Sequence, residues 1–189
     1  MNPTAQRFHD RAQRFGEIID AADGQWDAPT PCDDWSVRDV IDHAVETERD
    51  FFDKRGLDLA PAPDTTDLAQ AWRAHTAAMV DVLGRDGVAE TAYDGYFGPT
   101  TVADTMADFY GWDLMIHSWD IARATGQEWS IADEEVERLN RTADGWGDAL
   151  HSEGVCAPEV ALPDDASAQD RLLARLGRDP QWRAAQPTR

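Results

Sequence analysis

Asp113 and His117 are one helical turn apart in a segment dense with apolar residues. At that spacing a carboxylate oxygen and an imidazole nitrogen share one helix face and can hold one ion between them. A divalent metal asks for three or more such ligands, and helical bundles host such sites in their interiors. The pair also fits a plainer reading, an intrahelical ion pair with no metal. A third ligand would have to come from another helix. His43 lies at the flank of one apolar stripe and Glu48 near its centre. His75 falls on the apolar face of a further helix, beside Trp72 and Met79. The metal reading requires the ligand atoms to sit within about 6 Å of one another, since each ligand is about 2 Å from zinc.

Two more charged residues follow on the same helix. Asp120 shares the inward face and is suited to orienting a ligand histidine. Arg123 either neutralises Asp120 or binds a substrate anion. His75, Glu48 and Asp120 are the candidate acid/base groups for a bound substrate. His9 and His151 show no partner in the sequence and read as surface residues. Cys32 and Cys156 are too few for a disulfide framework or a zinc ribbon and read as reduced thiols. Trp35, Trp72, Trp112, Trp119 and Trp146 either fill a core or line a cleft.

The elements that must position these residues are helical. The periodicity predicts a first helix over residues 4–22. Ser36 caps a second helix, with Asp39 in the capping-box position, and Val37, Val40, Ile41, Ala44, Val45, Phe51 and Phe52 as its stripe. The loop before it holds Pro29, Pro31, Asp33 and Asp34. Gly56 and the Pro61, Pro63 run stop the second helix. Thr65 or Thr66 caps a third, which ends at Gly84. Residues 88–100 read as an excursion with a short strand pair. A fourth helix over residues 101–124 carries Asp113, His117 and Asp120 in one stripe with Val102, Met106, Phe109, Tyr110 and Ile121, and Gly126 follows its end. A fifth covers residues 133–150; its acids, Asp133, Glu134, Glu135 and Glu137, read as a solvated face at a helix N-terminus. A short helix at residues 168–176 closes the chain. The architecture expected is all-α, a four-helix bundle in a single domain over residues 1–189.

Composition excludes some functions. The chain has 189 residues and carries 37 Asp and Glu against 17 Lys and Arg, for a formal net charge of -20. A nucleic-acid binder needs a basic patch for phosphates, and Lys54 is the lone lysine. An anionic membrane surface would repel the chain. No apolar run is long enough to span a bilayer, and the N-terminal residues lack a signal peptide's apolar core. A cytoplasmic protein is expected. The surplus of Asp over Glu and Arg over Lys fits either a GC-rich genome or an acidic surface suited to high salt. With 42% hydrophobic residues and eight Trp, the chain folds rather than staying disordered. Dinucleotide, P-loop and α/β-hydrolase motifs are absent from the sequence.

Three segments together resemble a known group. Residues 30–43, TPCDDWSVRDVIDH, are similar to a TPCxxWxVxxLxxH opening. Residues 113–126, DLMIHSWDIARATG, resemble a DxxxHxWDLARATG segment, and residues 166–180, ASAQDRLLARLGRDP, resemble that group's closing motif. The group is the actinobacterial metal-binding proteins related to the N-terminal domain of mycothiol-dependent maleylpyruvate isomerase, in the DinB/YfiT-like superfamily. The resemblance implies a DinB-type four-helix bundle with a short excursion before the fourth helix and an extra C-terminal helix and tail. It implies a divalent metal held by His43, Asp113 and His117. Zinc is the first expectation, and nickel, iron or manganese suit the same ligands. Asp113 stands where the isomerase has Glu, one methylene longer, so it meets the metal either directly or through a water. Glu48 and His75 lie outside the motif and read as local additions to the pocket.

The isomerase has a further C-terminal domain that contributes to its active site. This chain offers a fifth helix and a tail after Gly126, so that isomerase's own activity is not expected to transfer. The function implied is a metal-dependent enzyme acting on a small molecule, a transferase or isomerase that uses a low-molecular-weight thiol, with mycothiol as cosubstrate. Two other readings stay open: a non-enzymatic metal-binding or scaffold bundle, and a metal-free enzyme of specialised metabolism. Oligomeric state is not legible in the sequence, and a homodimer stays open.

Overall fold

The computed structural model describes residues 2–32, 34–62, 65–152 and 154–184. Asp33 of the first loop and Pro63 of the helix-stopping run lie outside them. The described chain is mostly helical, with a small two-stranded sheet.

Helix α1 (Pro3–Ala21) opens on Asn2, whose side chain accepts from the Thr4 amide. Phe8, Ala12, Phe15 and Ile19 recur every three or four residues and form its buried face. Helix α2 (Val37–Asp53) starts with a complete capping box: Ser36 Oγ accepts from the Asp39 amide, and the Asp39 carboxylate accepts from the Ser36 amide. Helix α3 (Leu68–Leu83) is capped by Asp67, which accepts from the Gln70 amide, rather than by Thr65 or Thr66. Thr65 instead accepts from the Asp67 amide and holds the cap in place.

The excursion is an antiparallel hairpin, β1 (Ala92–Gly95) and β2 (Gly98–Thr101), with Ala92 opposite Thr101. Tyr96 and Phe97 form its tip. The fourth helix departs from the expected continuous rod. It consists of α4 (Val102–Thr105), a π-helical turn (Met106–Tyr110) and α5 (Gly111–Thr125). The longer i→i+5 loop of a π turn re-phases the residues that follow it. Buried Arg11 of α1 donates to the Ala107 carbonyl inside that turn and pairs with Glu135 of α6, so one guanidinium ties three elements together. Gly126 ends α5 in the left-handed conformation that glycine adopts without strain.

Helix α6 (Asp133–Trp146) passes into a 3-10 turn (Gly147–His151), so the predicted α-helix over 133–150 is tightened in its last turn. Glu135 does not belong to a solvated face; it is the partner of Arg11. Helix α7 (Ala168–Arg175) is capped by Ser167.

Helix α1 packs on α3 and α5, and α2 packs on the same two. One core lies among these four. A second core forms where Trp112, Met115 and Ile116 of α5 meet Val136, Leu139 and Ala143 of α6 and Leu172 beside them in α7. Helix α5 is therefore covered on both sides, and Leu114 to Ala122 are all buried. Polar groups on such a helix need partners, because unpaired burial is costly. No helix among the described residues is long and apolar enough to cross a membrane.

Candidate metal centre

Two elements bring the centre together. Helix α2 supplies His43 from the flank of its buried face; α5 supplies Asp113 and His117 from one face, one turn apart. Each of the three offers a ligand atom, and these atoms all lie within 4.8 Å of one another. The Asp113 carboxylate sits between the imidazoles. Its Oδ2 is 3.6 Å from His43 Nε2, and its Oδ1 is 3.4 Å from His117 Nε2. With ligand bonds of about 2.0–2.2 Å, neighbouring ligands of a tetrahedral zinc stand about 3.3 Å apart. The observed separations suit ligands around one ion better than they suit tight hydrogen bonds between the side chains themselves.

The inner side of the centre is tightly built. His117 Nδ1 is 2.9 Å from Asp120 Oδ2. With that nitrogen donating, Nε2 carries the free lone pair and points into the site. Asp120 is fully buried and is neutralised by Arg178, whose Nη2 donates at 3.1 Å. Arg178 also donates to the Leu176 carbonyl. Burial alone would raise the Asp120 carboxyl and discharge Arg178. Arg178 and His117 hold Asp120 below its ordinary range, and Asp120 holds Arg178 above its own. Burial opposes protonation of His117, but Asp113 and Asp120 together raise its pKa. Burial would likewise raise Asp113, yet His117, His43 and Arg178 draw it down.

The outer side is an aromatic wall. Trp35 stacks over His117 at 25° with centroids 5.8 Å apart and lies 4.7 Å from the His43 ring. It is held there by a closed loop in which Thr30 Oγ1 and the Thr30 amide both donate to the Trp35 carbonyl. Asp34 adopts a positive φ of 64° in the same loop. The three candidate ligands, Trp35, Arg178, Cys32 and Cys156 border one cleft of about 520 Å³. Burial pushes the Cys156 thiol up to about 11, so it stays protonated at neutral pH.

The other candidates sit elsewhere. Glu48 and His75 pair with each other at 2.8 Å in the core between α2 and α3, and neither borders the cleft. Glu48 Oε1 has no hydrogen-bond partner there, and burial raises the Glu48 carboxyl against the pull of His75. Arg123 does not reach Asp120. It donates to the Pro180 carbonyl and lies over the Trp119 ring. Arg178 takes the neutralising position, 58 residues along the chain from Asp120. The sequence signal for it was the closing GRDP turn. Gly177 has a φ of 80°, and a Cβ there would come within 2.4 Å of Ala157 Cβ. His151, expected without a partner, lies with Nδ1 3.0 Å from the Ala157 carbonyl.

Two uncharacterized proteins of Mycobacterium tuberculosis, from strains H37Rv and CDC 1551, are each 27% identical over 174 residues, covering 90% of this chain and 95% of the relative. No solved structure matches the chain. Residues 5–122, more than half of the chain and inclusive of His43, Asp113 and His117, match the family of the mycothiol maleylpyruvate isomerase N-terminal domain. The chain belongs to that family.

Proposed function

We propose that the protein is a divalent-metal-dependent enzyme of DinB type, a thiol-dependent transferase or isomerase acting on a small molecule. In this reading α1, α2, α3 and the α4–α5 rod form the DinB four-helix bundle, and His43, Asp113 and His117 hold the ion. The observation that carries it is the convergence of three ligand atoms within 4.8 Å on one cleft wall, one of them oriented by a buried carboxylate. An ordinary buried histidine needs one hydrogen-bond partner. His117 has Asp120 on one nitrogen and turns the other toward a second carboxylate and a second histidine.

Zinc is the ion we favour; bound there, it would act as a Lewis acid that lowers the pKa of a coordinated thiol or water. The protein's own groups do the rest. Asp120 fixes the His117 tautomer and raises its basicity, and Arg178 keeps Asp120 ionised. Trp35 covers both imidazoles and limits water around them. Tyr110 borders the cleft with its phenol raised above the ordinary range by burial, so it is a neutral hydrogen-bond donor to substrate. The cleft has the size of a small-molecule site. The family supports a low-molecular-weight thiol, mycothiol in an organism that makes it, as the cosubstrate.

Elemental analysis tests this reading. One equivalent of a divalent metal per chain is expected after purification or zinc reconstitution, and none in His117→Ala or His43→Ala. A fully loaded His117→Ala protein overturns the ligand assignment. A metal-free wild type whose melting is unmoved by zinc or chelator favours the scaffold reading.

A further inference from the structure

Beside the metal cleft lies a second cavity of about 420 Å³ beneath the β1–β2 hairpin. The two share walls: Asp50, Phe109, Tyr110 and Trp146 border both. Its walls are aromatic. Phe97 of the hairpin tip stacks on Trp146 at 18° with centroids 5.3 Å apart, while remaining 43% exposed. The tip thus covers the chamber with a ring that is itself open to solvent. The exposed part of that stack offers a flat apolar surface to a planar guest.

Of the two cations on the chamber's wall, Lys54 pairs with Asp50 and Arg55 has no anionic partner among the described residues. Asp50 pairs with Lys54 and Asp108 with Arg7, while Asp104 accepts a hydrogen bond from the Thr101 hydroxyl. The Arg55 guanidinium lies 3.8 Å from the Phe51 centroid and 3.9 Å from the Tyr93 centroid, packed against both rings. It donates to the Phe51 carbonyl, while its buried Nε has no hydrogen-bond partner. No ion pair forms between Arg55 and any carboxylate among the described residues. A planar guanidinium held by aromatic faces keeps its fork available for a carboxylate.

We propose that this chamber binds the body of an elongated organic anion, with a planar aromatic segment packed against the Phe97–Trp146 stack and a carboxylate on Arg55. Geometry sets the length. The Arg55 guanidinium folds back to the level of Phe51, eight residues from His43 on α2, or about 12 Å along the helix. The anionic end of the ligand is therefore separated from its reacting end by roughly that distance. Placing the reacting end at His43 rests on the metal reading; the chamber and its anion preference do not.

The test uses 4-biphenylcarboxylate and its neutral isostere 4-biphenylcarboxamide, titrated calorimetrically into chelator-treated protein. The carboxylate is expected to bind at least tenfold more tightly. Arg55→Gln should remove that preference and leave the carboxamide affinity unchanged, while Arg55→Lys keeps part of it. Phe97→Ser, at the exposed hairpin tip, should weaken both probes severalfold without disturbing the core, so the chamber is tested even if Arg55→Gln fails to fold. Equal affinities for the two probes in wild type, a preference that survives Arg55→Gln, or affinities untouched by Phe97→Ser would each overturn the proposal. A preference that exists only after zinc is added would also overturn it, since the metal would then be the anchor. Because the titration is done without metal, failure of the metal centre and failure of the chamber give different results.

Discussion

Asp120 has the most demanding position of any residue here. It is fully buried and serves His117 on one side and Arg178 on the other. Removing a hydrogen-bonded carboxylate behind a ligand histidine typically weakens metal affinity 10- to 100-fold. Asp120→Asn should do so in a zinc competition titration while leaving His43, Asp113 and His117 in place; an unchanged affinity would show that Asp120 serves only the fold. Arg178→Met strands the carboxylate without its charge partner, which costs about 3–5 kcal/mol in comparable buried pairs. Adding Asp120→Asn to that variant should recover a large part of the loss in urea denaturation, and additive losses would contradict the pairing. Cys156 allows a test that needs no metal. A thiol pushed up to about 11 carries about two orders of magnitude less thiolate at pH 7.5 than an ordinary one. In a Cys32→Ser background, iodoacetamide should label Cys156 correspondingly slowly, with a rate that climbs about tenfold per pH unit. Labelling as fast as free cysteine would refute the buried-thiol picture.

Elements differ in how much of them the sequence discloses. The cap at Ser36 and the stop at Gly126 were legible, because each is a local bargain between a side chain and the nearest backbone groups. So was the inward face shared by Asp113, His117 and Asp120, because helical spacing alone puts them together. The π turn was not. Its Ala107 carbonyl is held by Arg11, 96 residues away, and no local pattern records that partner. Helix α5 misled a one-stripe reading for a related reason: it is buried against two cores, so nearly every residue faces protein. Pairing Arg123 with Asp120 failed on the same ground, since spacing cannot see a guanidinium delivered from the GRDP turn. The turn itself makes an element-scale prediction. Gly177→Ala puts a Cβ into Ala157 and a left-handed backbone on an L residue, which alone costs about 1–2 kcal/mol. It should lower stability by at least that amount and weaken zinc binding through displaced Arg178. Loss of stability with unchanged zinc affinity would uncouple the turn from the centre.

At the scale of the molecule two electrostatic effects of different range coexist. The net charge of -20 acts over the surface and works against compactness by self-repulsion. Salt screens it, because the Debye length falls from about 30 Å at 0.01 M to about 8 Å at 0.15 M. Screening also weakens surface pairs such as Arg85 with Asp81 and Arg73 with Asp20, but exposed pairs are each worth about 0–1 kcal/mol. With acids outnumbering bases by more than two to one, relief of repulsion should win. Raising sodium chloride from 10 to 300 mM should therefore raise the melting temperature, by about 2–4 °C for each kcal/mol gained in a chain of this size. The metal effect is local and differs in kind. It should saturate at one equivalent of zinc, depend on His43, Asp113 and His117, and persist at high salt because direct coordination acts over bond length and not over the Debye length. His117→Ala separates the two: the salt-dependent rise should remain and the zinc-dependent rise should vanish. A variant that keeps both would mean that the cation stabilises the protein through its acidic surface and not through the three converging ligands.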